Sequence, residues 1–179
     1  KDECDVLYVD YLSTEGLKKK YAHQPDVVAN IVPIDYTLEE FADKRAGFTG
    51  TFDVIFASHV FEHLANPIAW LLEQQPLLSP KGRLVLVIPD KRFTFDALRR
   101  PSSYLDLARS FAEKRTRPGL ECVLDHHLNA VKVNPAELWK DYSVLRSKPR
   151  LFTEPALVTM VQRHMKGEYL EVHSWAFLP

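Results

Sequence analysis

The feature that most constrains the fold is the alternation of short apolar runs with helical patterns over residues 1–90. The runs VLYV, VVANIV, VIFA and LVLVI are rich in the branched and aromatic residues that favour strands. The last run, Leu84–Ile88, is unbroken, which predicts burial on both of its faces. Because helical patterns separate the runs, we predict an α/β fold with a mostly parallel sheet and flanking helices.

Capping residues predict where several of the helices begin. A Ser, Thr or Asn side chain at the start of a helix can accept a hydrogen bond from the first turn, and Pro favours the first helical position. The candidate caps are Ser13, Asn66, Ser103, Asn134 and Thr153. The segment TLEEFADK adds a short amphipathic helix between the second and third runs. These signals predict helices on both sides of Pro89.

Beyond Pro89 the pattern changes from alternating strands and helices to helices in succession, which form no βαβ unit. Near the end, Leu170 and Val172 alternate with polar residues, as in a half-exposed strand. We predict one domain over residues 1–179, with residues 1–90 as a partial sheet core and residues 91–179 as a helical cap. This cap would cover the carboxyl edge of the sheet, where open α/β sheets bind ligands.

Composition limits the classes of partner. The chain has 23 basic and 24 acidic residues, so no overall field favours nucleic acid, and we expect no nucleic-acid partner. The basic run DKRFTFDALRR, residues 90–100, could receive a phosphorylated or nucleotide-linked sugar, but we interpret it as a solvated surface compensated by its own two aspartates. Cys4 and Cys122 form no metal-ligand or disulfide framework. The chain also has no signal-peptide pattern and no apolar stretch near the roughly 20 residues of a membrane span, so we expect a cytoplasmic location.

The segment SHVFEHL, residues 58–64, concentrates ionisable side chains directly after a predicted strand. Two histidines and a glutamate in this position are compatible with a metal site, an acid–base pair or the rim of a cofactor pocket. Our preferred interpretation is the rim of a cofactor pocket.

The block TFDVIFASHVFEHLANPIAWLLEQQPLLSPKGRLVLVIPD, residues 51–90, resembles the class I, Rossmann-like S-adenosylmethionine-dependent methyltransferases. In that family an Asp-led fourth strand, a Glu-His loop, a helix, a Pro-x-Gly turn and an apolar fifth strand follow in this order. The later segments DKRFTFDALRR, DHHLNAV and EVHSWAFLP look like one bacterial branch of the superfamily, associated with glycan and cell-surface biosynthesis. The resemblance implies a small-molecule or glycan acceptor. Residues 91–179 would form the part of the site that binds this acceptor.

The resemblance also implies residues that bind S-adenosylmethionine. Asp10, followed by Tyr11, ends the family's second strand, where a carboxylate accepts hydrogen bonds from the two ribose hydroxyls. Asp35 and Tyr36 match the adenine-binding loop in position. Ser58 and His59 would line the methionine portion. The full implied set is Asp10, Tyr11, Asp35, Tyr36, Ser58 and His59.

The chain departs from the family at its most diagnostic element. The first strand and its Gly-x-Gly loop have no counterpart among the 6 glycines, and the strands expected after the AFLP end are missing too. We therefore expect a sheet that is incomplete at both ends, in part of a longer protein, and an incomplete cofactor site. The alternative is a degenerate relative, a non-catalytic interaction module that no longer binds the cofactor. A nicotinamide-dependent oxidoreductase would share the sheet but not the Glu-His loop.

Histidines are the candidates for a general base, because an oxygen acceptor must lose its proton near neutral pH. His63, His126 and His127 are the predicted catalytic residues, and His173 is a further candidate. Asp125 could orient a neighbouring imidazole. The sequence leaves the oligomeric state open, with a homodimer among the options.

A metal-assisted mechanism is the other alternative, although our preferred interpretation assigns no metal. HVFEH resembles the E-x-x-E-H cluster by which ubiquinone-pathway O-methyltransferases and small-RNA 3′-terminal 2′-O-methyltransferases hold a divalent ion. That resemblance would make His59, Glu62 and His63 ligands, with a further ligand from residues 125–127. The replacement of one carboxylate by His59 would favour borderline metals over Mg²⁺.

Overall fold

The computed structural model describes residues 4–179, and the chain divides between Phe52 and Asp53 into two compact units. The prediction of one domain over the whole chain stays a prediction. In chain order the first elements are β1 (Val9–Asp10), α1 (Thr14–Lys20), α2 (Pro25–Ala29), β2 (Tyr36–Thr37) and α3 (Leu38–Lys44). They are followed by β3 (Phe52–Ser58), α4 (Pro67–Gln74), β4 (Leu78–Val87), α5 (Tyr104–Ala112), α6 (Leu120–Asn129), α7 (Pro135–Lys140) and α8 (Glu154–Met165).

The first unit contains a short parallel strand pair. Val9 of β1 stands opposite Tyr36 of β2. Ser13 caps α1, because its hydroxyl accepts a hydrogen bond from the amide of Gly16 at 3.2 Å. A capping box between Thr37 and Glu40 starts α3 in the same way. The local sequence therefore sets the starts of these helices, as predicted.

The strand predicted at the run VVANIV, residues 27–32, is wrong. Pro25 and the residues up to Ala29 form α2 instead, with Pro25 in the first turn, where its fixed φ suits a helix. The strand that pairs with β1 lies further along, at Tyr36–Thr37. The periodicity of an apolar run of this length does not distinguish a strand from a short helix. Here Pro25 favours the helix, because its backbone conformation suits a first helical turn.

The second unit contains the pair of β3 and β4. Near the strand starts, the Ser79 hydroxyl donates to the Asp53 carboxylate at 2.8 Å, and at their ends the His59 amide donates to the Val87 carbonyl at 3.0 Å. Starts lie beside starts and ends beside ends, so the two strands run in the same direction. The structure thus confirms an α/β fold with parallel strand pairs. The expected Pro-x-Gly turn around Gly82 lies inside β4.

The predicted burial of Leu84–Ile88 on both faces is wrong. Val85 and Val87 are 39% and 40% exposed, whereas their neighbours along β4 are half-buried. Val54 and Phe56 of β3 are also exposed. This alternation indicates a strand pair that is covered on one face only within the described residues.

The helical region follows its capping signals in most places. The Asn66 side chain accepts from the Ala69 amide at 3.1 Å at the start of α4, and Ser103 forms a capping box with Asp106 at the start of α5. Asn134 caps α7 through the amide of Ala136. The segment around DHH forms α6, which the sequence did not predict because its N-cap, Gly119, offers no side-chain cap.

The end of the chain lies at the carboxyl ends of β3 and β4. Trp175 donates from its amide to the Glu62 carbonyl at 3.1 Å and from Nε1 to the Leu64 carbonyl at 2.6 Å. Phe177 bridges to Asp90, just after β4. This segment therefore lies against the loops that follow β3 and β4, and the cap over residues 91–179 stays a prediction.

The half-exposed strand predicted around Leu170 and Val172 is wrong. Both side chains are almost fully buried, in a cluster with Val123 of α6 and Met160 of α8, and the segment forms no strand. Apolar and polar residues can also alternate in an irregular segment that is buried between helices, as this one is between α6 and α8. Among residues 4–179, no helix has the length and apolar character needed to cross a lipid bilayer.

Replacement of Ser103 by alanine tests the cap of α5. Loss of the side-chain cap is expected to lower the free energy of unfolding by about 1 kcal/mol, measured by urea titration followed by circular dichroism. Thr153→Ala is the matched control, because Thr153 occupies the N-cap of α8 without a side-chain cap hydrogen bond. Equal losses for the two variants would contradict the assignment of the cap.

Candidate active site

The loop after β3 begins with an unusual backbone conformation. His59 has φ of 54°, in the left-handed region that residues other than glycine seldom adopt. Its amide remains bonded to the carbonyl of Val87, so the chain turns sharply at the end of the strand. Ser58 and His59 are exposed at this turn, and the short 3₁₀ turn Phe61–His63 follows.

Glu62 points into the protein from this turn. It is 1% exposed, and neither of its carboxylate oxygens accepts a hydrogen bond from any described residue. The nearest ionisable partner is His59, whose Nδ1 lies 3.5 Å from Oε1 of Glu62, longer than a normal hydrogen bond. A buried carboxylate without such bonds costs folding free energy. Glu62 therefore requires an explanation beyond packing.

Two imidazoles lie beside Glu62. The His63 and His173 rings meet edge to face, with centroids 4.6 Å apart. One ligand atom from each of Glu62, His63 and His173 lies within 4.8 Å of the others, and these three residues are named the acid–imidazole cluster. His63 Nδ1 is 3.1 Å from the Val172 carbonyl, which can only accept, so Nδ1 carries the proton and Nε2 keeps its lone pair.

A buried ionic network holds His173 in place. Asp96 Oδ2 is 2.5 Å from His173 Nδ1, and its other oxygen accepts from Arg99 at 2.9 Å. Arg99 also donates to Asp125 at 2.7 Å and to the carbonyl of His173 at 2.8 Å. Burial by itself raises the pKa of Asp96, but the His173 hydrogen bond and the Arg99 charge outweigh it and lower that pKa. An ionised Asp96 orients His173 so that Nε2 is directed away from the network.

The interpretation of residues 91–100 as a solvated surface is wrong for Lys91 and Arg99. They are 6% and 3% exposed, and the ammonium of Lys91 donates to the Ala97 carbonyl at 2.9 Å. The expected compensation by aspartates is confirmed, since Asp96 pairs with Arg99 and Asp90 with Arg92. Sequence shows the charges of such a run but not which of them fold inward.

His126 and His127 are both buried in α6 but face different neighbours. His126 lies 6.2 Å from His173 between ring centroids, and its Nδ1 has no partner among the described residues. Burial, followed by the charge of Arg99, lowers the pKa of His126 to about 3. His127 binds the Val123 carbonyl through Nδ1 at 2.8 Å and packs on Phe152. The structure brings His63 and His126 towards His173 and turns His127 away.

Asp10 and Tyr11 end β1 in the first unit. Asp10 is half-buried, and Oδ1 accepts from the Leu12 amide at 3.1 Å. Tyr11 is 44% exposed, and its hydroxyl contacts the ammonium of Lys20. One oxygen of Asp10 thus has a backbone partner, and the assignment of this carboxylate to the ribose stays a prediction.

Asp35 and Tyr36 have structural contacts that the sequence did not indicate. Asp35 Oδ2 accepts from the Tyr8 amide at 2.7 Å, which fastens β2 to β1. The Tyr36 ring packs against Phe41 and Phe48, with centroids 6.3 and 6.1 Å away. Their assignment to adenine, like the assignment of Ser58 and His59 to the methionine portion, stays a prediction.

Asp96 is the residue that sequence reasoning missed, and His173 was weighed without being among the predicted catalytic residues. Asp96 and Arg99 are three residues apart, a spacing that allows them to pair, but nothing in the sequence indicates that the pair is buried. Asp96 and His173 are 77 residues apart, so only the folded chain brings them together.

Comparison with known proteins identifies a family. A family model described as a methyltransferase domain matches residues 19–164, which is most of the chain. No curated protein matches. No solved structure matches either.

Replacement of Asp96 by asparagine tests the ionic network. The change keeps the shape but leaves the buried Arg99 without one of its two carboxylates, so the free energy of unfolding is expected to fall by about 3 kcal/mol. Asp90→Asn is the matched control, because it weakens the exposed Asp90–Arg92 pair and is expected to cost less than about 1 kcal/mol. Urea unfolding of both variants provides the comparison. Similar small losses would mean that the network does not stabilise the fold.

Proposed function

Because the chain belongs to the methyltransferase-domain family, we propose that it transfers a methyl group from S-adenosylmethionine to a small-molecule or glycan-type acceptor. The match over residues 19–164 is the observation that carries this proposal. The acid–imidazole cluster supports it, since Glu62 and His63 follow β3 closely, at the edge where open α/β sheets bind ligands.

The reaction makes few chemical demands on the protein. S-adenosylmethionine supplies the methyl group, and the acceptor's lone pair displaces S-adenosylhomocysteine from it. The side chains must position the acceptor in line with the methyl group and provide for the loss of its proton. The proposal therefore needs a basic group or an electrophile beside the acceptor.

His63 is the residue whose surroundings suit that task best. Burial, and then the neighbouring His173, lower the pKa of His63 below its usual value, so that the ring is neutral at pH 7. With Nδ1 committed to Val172, Nε2 can take the acceptor's proton or bind a cation that acidifies the acceptor. His126 is a much weaker base with its pKa of about 3. The catalytic roles of His126 and His127 remain predictions.

Asp10 is the proposed ribose ligand in the first unit. Its Oδ1 is held by the Leu12 amide, which fixes the carboxylate so that Oδ2 can accept from a ribose hydroxyl. Tyr11, Asp35, Tyr36, Ser58 and His59 remain proposed cofactor contacts on the strength of the resemblance.

Calorimetric titration of the full-length gene product with S-adenosylhomocysteine and, separately, with NAD tests the proposal. Saturable heat is expected with S-adenosylhomocysteine only, because the product shares the adenosine and amino-acid groups of the methyl donor. Heat with NAD alone would point to an oxidoreductase. Heat with neither ligand would remove the proposed activity and favour a non-catalytic interaction module.

Asp10→Ala tests the ribose contact in the same titration. Loss of charged hydrogen bonds is expected to weaken S-adenosylhomocysteine binding by on the order of 1–3 kcal/mol. Asp43→Ala is the control, since Asp43 is an exposed aspartate of α3 in the same unit. Thermal unfolding of both variants shows whether the first unit is intact. Unchanged affinity in a folded Asp10→Ala protein would remove Asp10 from the site.

A further inference from the structure

The acid–imidazole cluster has the donor set of a divalent-metal site. Glu62 contributes a carboxylate, and His63 and His173 contribute one imidazole each, with ligand atoms within 4.8 Å of one another. We propose that Glu62, His63 and His173 bind one borderline divalent cation such as Zn²⁺. Two imidazoles and a carboxylate form a donor set that Zn²⁺ and its neighbours in the first transition series accept readily.

The burial of Glu62 is the first argument. A carboxylate that is 1% exposed and accepts no hydrogen bond from a described residue has lost its hydration without receiving a substitute. A cation bound to it supplies that substitute. The neighbouring His59 is exposed and His63 is only half-buried, so the cluster lies close to the protein surface.

The orientation of the imidazoles is the second argument. In metal sites a ligating histidine usually donates its other ring N–H to a carboxylate or a backbone carbonyl, which fixes the ring and the tautomer. His173 makes this contact with Asp96, and His63 makes it with the Val172 carbonyl. In both rings Nε2 therefore keeps its lone pair and can bind a metal ion. Two independent histidines with this arrangement beside one unsatisfied carboxylate indicate a prepared site.

The buried charges are the third argument. Asp96 and Asp125 carry negative charge, and Arg99 and Lys91 offset it at close range. Among the described residues, Glu62 is then the remaining buried acidic group of this neighbourhood, and its close ionisable neighbour outside the cluster is the exposed His59. A divalent cation would place a positive charge beside the Glu62 carboxylate, as Arg99 does for Asp96 and Asp125.

The distances require a modest contraction. Zn–N and Zn–O bonds of about 2.0–2.2 Å place tetrahedral ligand atoms about 3.3–3.6 Å apart, so atoms now within 4.8 Å must approach by about 1.5 Å at most. His63 is only half-buried, which allows its ring to make this movement. The hydrogen bond to Asp96 holds the His173 ring in place, so His63 is the ligand that moves.

The cation deepens the proposed function, and its role rests on that function. Three protein ligands leave a coordination position for an acceptor hydroxyl, whose proton then passes more readily to solvent. The freed oxygen forms its bond to the methyl carbon as the carbon–sulfur bond breaks and S-adenosylhomocysteine leaves. This arrangement favours acceptors with a hydroxyl group, such as sugars, over amines.

Competition with a chromophoric chelator tests the site without any measurement of activity. The metal-free chain is expected to bind one Zn²⁺ per molecule, and Mg²⁺ at the same concentration should not displace it. Co²⁺ should give a visible absorption spectrum typical of nitrogen and oxygen ligands. Absence of one-to-one Zn²⁺ binding would overturn the proposal.

Variants identify the ligands. Glu62→Gln and His63→Ala are each expected to weaken Zn²⁺ binding more than about 100-fold, beyond the 10- to 100-fold effect usual for residues that only orient a ligand. His164→Ala is the matched control, because His164 is a buried histidine of α8 outside the cluster and should bind as the wild type does. Wild-type affinity in Glu62→Gln would overturn the assignment.

Thermal unfolding separates ligand loss from misfolding. Without metal, Glu62→Gln is expected to be at least as stable as the wild type, because it removes a buried charge that has no hydrogen bond. Zn²⁺ should then raise the unfolding temperature of the wild type and not of the variant. An equal rise in both would overturn the proposal.

The metal site and the proposed function fail separately. Zn²⁺ binding through these residues without S-adenosylhomocysteine binding would leave the site and remove the activity. Cofactor binding without Zn²⁺ binding would overturn the site alone.

Discussion

The acid–imidazole cluster of the second unit depends on the hydrogen bonds that the buried guanidinium of Arg99 donates. It contacts Asp96 on its own segment, Asp125 of α6 and the carbonyl of His173 near the chain end. A planar group with several fixed donors can join three segments in this way, whereas a lysine ammonium could not match the same directions. Through Asp96, the same network fixes the ring of His173, so the fold and the site share one set of contacts.

The position of the chain end follows from that network and from Trp175. Trp175 is 2% exposed and donates two hydrogen bonds to the loop after β3, on either side of His63. The same segment carries His173 to the His63 ring. Buried hydrogen bonds at both ends of this short stretch leave the imidazole little freedom. Catalysis benefits from such rigidity, because misplacement of a reacting group by about 1 Å is costly.

The sequence predicted where helices begin better than it predicted which side chains are buried. Ser13, Asn66 and Ser103 cap helices as expected, because each cap is a hydrogen bond to a backbone amide within three residues. The exposure of Val85 and the burial of Arg99 were not predictable in this way. Whether a strand face or a charged side chain is covered depends on segments that lie far away in sequence.

The sequence by itself determined the α/β class, most capped helices and the resemblance that pointed to a methyltransferase. These features depend on periodicity, local capping and motifs, all of which lie within short segments. Only the tertiary structure decided that Glu62 is buried without a hydrogen bond and that His173 is its neighbour, rather than His126 or His127 of the DHH segment. The physical reason is that His63 and His173 are distant in sequence, and their meeting requires the chain end to fold back over β3 and β4.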